Sequence, residues 1–253
     1  MNVTDFISYE MTSKFTDYTY TINIYVPQGE IPQGGFPVLY VLDGSSYFNL
    51  VKEAIRLQSR NAPKTGIVPA IVVGVGHRAD MHERRFYDFT APAETYSYPA
   101  RFKGNGYDKH GGAVSFSRFL QEELKPQIQQ QFHVNEQHQT LFGHSLAGYF
   151  VLWQLFNEKH SFQRYIAISP SIWWNEHELL QKASVFMEEY KQVNEQLFIG
   201  VGELETFMVD DGRKMANELM QVMGIEFYEA LHENHASVVP TVMSRAIRFV
   251  NKY

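Results

Sequence analysis

Gln139-Thr140-Leu141-Phe142-Gly143-His144-Ser145-Leu146-Ala147-Gly148 reads as an apolar strand that ends in a sharp turn and opens a helix, with one serine at the apex. That is the layout of a nucleophile elbow. The turn strains the serine backbone, so the residues two before and two after it must be small enough for strand and helix to approach closely. Gly143 fills the first position. Ala147 fills the second, where glycine is usual, and Gly148 follows. An ordinary strand-to-helix junction with a serine N-cap has similar letters, so the segments around the elbow decide between the two.

Outward from this stretch, strands alternate with helices. Tyr18 to Val26 alternates apolar and polar side chains, as a half-exposed antiparallel strand near a sheet edge does. Phe36 to Leu42 and Val68 to Val75 are continuous apolar runs, typical of buried central strands. A helix is predicted from about Ser46 to Gln58, and another from about Val114 to Gln130 with Phe116, Leu120, Leu124 and Ile128 at helical spacing. Residues 77–112 between them show no clear period and read as an irregular insertion after the third strand, on the substrate side. After the elbow come strands at Tyr165–Ser169, Leu197–Val201 and Ile225–Leu231, each followed by a helical pattern. This alternation implies right-handed crossovers and a mostly parallel sheet covered on both faces, in one α/β domain over residues 1–253.

Composition narrows the chemistry. The chain is 44% hydrophobic and 15% aromatic, enough for a large core, with net charge −6 and no polybasic run. Neither nucleic acid nor an anionic membrane surface is an expected partner. There is no cysteine, which excludes a thiolate nucleophile, a disulfide scaffold and cysteine-ligated zinc. Met1 to Phe6 has neither a basic nor an apolar leader pattern, and no apolar run is long enough to span a bilayer, so a cytoplasmic location is expected. His77, His82, Asp108 and His110 are scattered without ligand spacing, and neither a metal nor another cofactor is expected.

A serine hydroxyl needs a base to take its proton, and the base needs an orienting acid. After an elbow of this kind the partners follow in the order Ser, Asp/Glu, His, on loops beyond later strands. His235, in the loop before the last helix, is the candidate base, with His232 as competitor. Glu205, after the Leu197–Val201 strand, is the candidate acid, with Glu203 as alternative. The oxyanion needs two backbone N–H groups. Leu146, at a helix start, offers one, and the Asp43-Gly44-Ser45 turn, through Gly44, offers the other.

Several stretches together resemble the esterase D-like α/β-hydrolases, in the branch of esterases that open the trilactones of enterobactin, salmochelin and bacillibactin. They are Tyr40–Gly44, Arg84–Pro92, Phe119–Pro126, Phe142–Gly148, Ser169–Trp174 and Glu233–Val238, over nearly the whole chain. The resemblance implies an α/β-hydrolase fold, a serine hydrolase acting on carboxylic esters, Ser145 as nucleophile, His235 as base and an oxyanion loop at Gly44. It leaves the third triad member less defined, because that member varies in the branch. The expected partner is a small-molecule ester, in its ferric form a tris-catecholate with negative charge and aromatic faces. Arg84, Arg85, Trp173 and Trp174 suit those features and are the expected substrate wall. A general carboxylesterase, a thioesterase of the S-formylglutathione hydrolase kind and an acyltransferase are the alternatives on the same fold.

Overall fold

The computed structural model describes residues 6–78, 81–97 and 109–251. Eight strands form one sheet: β1 (Ile7–Ser13), β2 (Tyr18–Tyr25), β3 (Phe36–Leu42), β4 (Ile71–Gly76), β5 (Val134–His144), β6 (Arg164–Ile168), β7 (Gln196–Gly202) and β8 (Gly224–Ala230). The helices are α1 (Gly44–Ser59), the short α2 (Ala62–Thr65), α3 (Met81–Phe89), α4 (Ala113–Arg118), α5 (Lys125–Gln131), α6 (Leu146–Asn157), α7 (Trp174–Glu189), α8 (Phe207–Leu219) and α9 (Val238–Val250). The spatial strand order is β1-β2-β4-β3-β5-β6-β7-β8. β2 runs antiparallel to β1 and β4, and every pairing from β4 through β8 is parallel. Among the described residues no helix is long and apolar enough to cross a membrane.

Period-two alternation divides the core. Leu39, Val41, Phe142, Ile166 and Phe198 point to the face covered by α1 and α9, where Val51, Ile55, Val242 and Ile247 meet them. Val38, Tyr40, Leu141 and Ala167 point to the other face, which packs against α4 to α8. α6 lies deepest and is buried from Leu146 to Leu155, as an apolar sequence with no polar stripe requires.

Three local features depart from the sequence reading. Ile7–Ser13 forms an additional edge strand whose burial only partly alternates, so its pattern is weak. The insertion therefore follows the fourth strand, and its first part is the regular helix α3; residues 98–108 of it lie outside the described residues. The helix expected over about 114–130 is continuous but contains a π-helical turn at Phe119–Leu124. Pro126, in the first turn of α5, explains it. Proline lacks an N–H and its ring presses on the carbonyl four residues back, and a wider turn before it relieves that clash.

The sheet places the site. Parallel strands β5 to β8 all end at one edge, and the loops leaving that edge converge. At the end of β5 the chain turns through Ser145 with φ 59° and ψ −119°, a conformation that costs a non-glycine residue energy. A Cβ on Gly143 would run into the Ala147 carbonyl, so the glycine is required by close approach, whereas the Ala147 methyl is accommodated with no exposed surface. The Ser145 N–H donates to the Ile168 carbonyl at 2.9 Å and fixes the turn to β6.

Candidate active site

Three loops at the carboxyl edge of the sheet bring Ser145, Glu205 and His235 together. His235 sits between β8 and α9, and its Nε2 lies 3.0 Å from Ser145 Oγ. Its Nδ1 lies 2.5 Å from Glu205 Oε1. Glu205 closes the short 3-10 turn Glu203–Glu205 after β7 and is buried. Its second oxygen accepts from the Ser169 hydroxyl at 2.5 Å and from the Gly202 N–H at 2.6 Å. Burial pushes the Glu205 carboxyl up, but the bonds from His235, Ser169 and Gly202 outweigh it and hold the group below the usual glutamate range. The carboxylate is thus ionised and both its oxygens are directed.

The competing pair lies elsewhere. Glu203 accepts the His232 backbone N–H at 2.7 Å, and the His232 side chain is 91% exposed. Glu203 and His232 tie the two loops together on the solvent side. The Leu204 N–H, donating to the Glu233 carbonyl at 2.9 Å, makes a second tie.

Gly44 and Leu146 are the first residues of α1 and α6. N–H groups at helix starts have no intrahelical acceptor and carry the positive end of the helix dipole. Asp43, just before Gly44, adopts the left-handed conformation with φ 51°. A Cβ on Gly44 would sit 2.7 Å from the Val75 nitrogen, so this turn lies against β4.

Arg85 holds Asp43 through a two-pronged bridge, Nε to Oδ1 at 2.7 Å and Nη2 to Oδ2 at 2.8 Å. Both line a cleft of about 240 Å³ together with Ser46, Tyr47, His82, His144, Ser145 and His235. The guanidinium is therefore fixed at the wall of the cleft that holds the serine, with the Asp43 carboxylate beside it as its counter-charge.

The other expected wall residues are placed differently. Arg84 turns away from the cleft into a buried cluster, with Asp88 at 2.8 Å and the Thr16 carbonyl at 3.1 Å. Trp174 is fully buried and packs against Phe86, Tyr96 and His110. Trp173 is half-buried and meets Trp174 edge to face at 6.0 Å. Neither tryptophan is among the cleft-lining residues. His77, considered above as a metal ligand, pairs with Asp88 at 3.0 Å, and Asp108 lies outside the described residues.

Ser46, Tyr47 and His144 line the cleft without having had a sequence signal as site residues. The Tyr47 hydroxyl lies 2.8 Å from His144 Nδ1. A histidine beside an elbow serine reads as spacer until the fold shows its partner 97 positions away.

A hydroxyl, an imidazole and a clamped carboxylate in this line can pass a proton from the hydroxyl to the ring while the carboxylate steadies the resulting cation. Glu205→Gln is expected to lower turnover by about 100-fold or more, because the amide no longer stabilises the imidazolium or holds its tautomer. It also removes a pH-linked contribution to folding. Since the folded Glu205 carboxyl titrates below its unfolded value, that contribution is present above about pH 4.3 and fades as the pH falls through the folded value. Thermal unfolding of the two proteins across this acid range should show their difference shrinking toward low pH. A constant difference would count against the linkage.

The profile of the family described as "Putative esterase" matches residues 13–247. The ferri-bacillibactin esterase BesA of Bacillus subtilis (strain 168) is 40% identical, over 94% of this chain and 87% of that protein. A siderophore enterobactin esterase of Emericella nidulans is 28% identical, over 84% of this chain and 81% of that protein. Among solved structures, the BES protein from Bacillus cereus superposes with a TM-score of 0.91 at 39% identity, covering 100% of this chain and 98% of the other.

Proposed function

This chain belongs to the esterase family, and from that premise we propose that it is a serine esterase hydrolysing the trilactone of a catecholate siderophore of the bacillibactin or enterobactin type. The observation that carries the reading is the Ser145–His235–Glu205 line, with contacts of 3.0 and 2.5 Å, in a cleft that Arg85 also lines. The names of the curated relatives supply the substrate class.

In this reading Ser145 Oγ attacks a lactone ester carbonyl as His235 Nε2 takes the hydroxyl proton. Negative charge develops on the carbonyl oxygen, and the N–H groups of Leu146 and Gly44 at their helix starts face it. The tetrahedral intermediate collapses, the C–O bond to the leaving alkoxide breaks, and His235 returns the proton to that oxygen. Water then attacks the acyl-Ser145 carbonyl as His235 takes its proton; the bond to Ser145 Oγ breaks, His235 returns the proton to that oxygen, and the acid leaves. Glu205 accepts the Nδ1 hydrogen bond throughout and stays ionised.

A cleft of about 240 Å³ is smaller than the ~300–1,000 Å³ pockets that enclose drug-sized ligands. One ester arm enters it, and the rest of a trilactone lies over the rim. Arg85 and Trp173 are the proposed substrate contacts, the first answering negative charge and the second an aromatic face. Arg84 and Trp174 act from behind, one fastening α3 and the other filling the core beneath it.

Product analysis after mixing the protein with bacillibactin and with enterobactin, each with and without iron, tests the reading. Ring-opened products are expected, and their iron dependence identifies the working form. Intact trilactone alongside rapid cleavage of a p-nitrophenyl ester would move the protein to the general esterases.

A further inference from the structure

The two hydrogen bonds of His235 attach at opposite ends of its ring, Nε2 to Ser145 at 3.0 Å and Nδ1 to Glu205 at 2.5 Å. Together they define an axis, and neither bond restrains rotation of the ring about it. The side chain is 45% exposed. His144 stands against the ring, its centroid 4.5 Å away and the two planes at 38°.

His144 is itself held. It is 7% exposed, and the Tyr47 hydroxyl meets its Nδ1 at 2.8 Å. The Tyr47 ring stands edge to face against it at 5.6 Å and 78°, and against Phe142 at 5.6 Å and 79°. Tyr47 comes from the first turns of α1 and His144 from the end of β5, so the support joins the helix that begins at Gly44 to the strand that leads into Ser145.

We propose that His144, anchored by Tyr47, is a positioning residue for His235: its ring face sets the tilt of the catalytic imidazole, so that Nε2 meets the Ser145 hydroxyl along its O–H direction. This role rests on the reading of Ser145, His235 and Glu205 as the triad. It suits a group that stays uncharged, since a second cation against the imidazolium would oppose proton transfer. Burial pushes His144 down to about 3, His235 and Arg85 act in the same sense, and Asp43 and Glu205 oppose them. The ring is therefore neutral wherever esters are assayed.

The test compares His144→Ala, His144→Phe and Tyr47→Phe on p-nitrophenyl acetate, with Ser145→Ala as blank, and follows the low-field Nδ1–H proton resonance of His235. His144→Ala is expected to lower kcat about tenfold with KM within about twofold, and to broaden the resonance, since small misplacements of a catalytic group cost rate rather than binding. His144→Phe keeps a ring face and should recover kcat to within about threefold of the native value, with Tyr47→Phe falling between. Equal losses in the alanine and phenylalanine variants would overturn the proposal. So would a raised KM at native kcat, which places His144 against substrate, or a native kcat in His144→Ala. Should His144→Ala not fold, Tyr47→Phe decides at its half-buried position: lowered kcat with a broadened resonance supports the role, and native values for both refute it. A native protein no faster than Ser145→Ala sinks the esterase reading instead, and the resonance comparison still reports the ring.

Discussion

Ser145→Ala is expected to reduce kcat for any ester by about 10⁴- to 10⁶-fold, the range seen when the nucleophile of a hydroxyl–imidazole–carboxylate array is removed. Folding should survive, because the backbone N–H of Ser145, and not its hydroxyl, makes the bond to Ile168 at 2.9 Å. The methyl of alanine takes the same backbone conformation at no greater cost than serine. His232→Ala is the matched control. That side chain is 91% exposed and paired with Glu203, so turnover should be unchanged. Steady-state rates on bacillibactin and on p-nitrophenyl acetate, with circular dichroism of each variant, decide the matter. Substantial residual turnover in Ser145→Ala would mean that the hydroxyl is not the nucleophile, and a rate lost in His232→Ala would move the base to the other histidine.

Asp88→Ala is expected to be strongly destabilising. Asp88 has no exposed surface; its Oδ2 accepts from the Tyr20 hydroxyl at 2.7 Å, His77 Nε2 at 3.0 Å and Arg84 Nε at 3.1 Å, and Arg84 Nη2 lies 2.8 Å from its Oδ1. It binds α3 to β2 and to the end of β4. Removing it leaves the Arg84 guanidinium, 15% exposed, without its counter-charge. Breaking a buried pair from one side costs about 3–5 kcal/mol. In a chain of this size that corresponds to a fall of about 10 °C in Tm. Arg118→Ala, which breaks an exposed pair with Glu122, should leave Tm unchanged. Activity should also fall in Asp88→Ala, because α3 carries Arg85 into the cleft. Calorimetry together with KM for an anionic substrate would show both effects. A loss of stability no larger than that of the surface variant would mean the cluster is not a staple.

Much of the architecture was legible in the residues because the physics is local. The apolar run Phe36–Leu42 is buried at every position, as a central strand covered on both faces is. The elbow could be read from small residues at fixed spacing, because a tight turn admits nothing larger. Chain order pointed to Glu205 and His235, and the loops at one edge of the parallel sheet bring both within hydrogen-bond reach of the Ser145 line. The edge strand Ile7–Ser13 was less legible, as its alternation is incomplete and its pairing is to one neighbour only. The π turn at Phe119–Leu124 was hidden by a period that stays near 3.6 on either side of it.

The sequence alone therefore determined the fold class and the kind of chemistry, both set by short-range patterns and by the order of residues along the chain. Tertiary structure decided which of two neighbouring residues faces inward. It separates Arg85 in the cleft from Arg84 in the buried cluster, half-buried Trp173 from Trp174 in the core, and Glu205 at the histidine from Glu203 at the surface. It also joined Tyr47 to His144 across 97 positions. The reason is physical: adjacent residues share composition and propensity, and only the direction of each side chain against distant partners tells them apart.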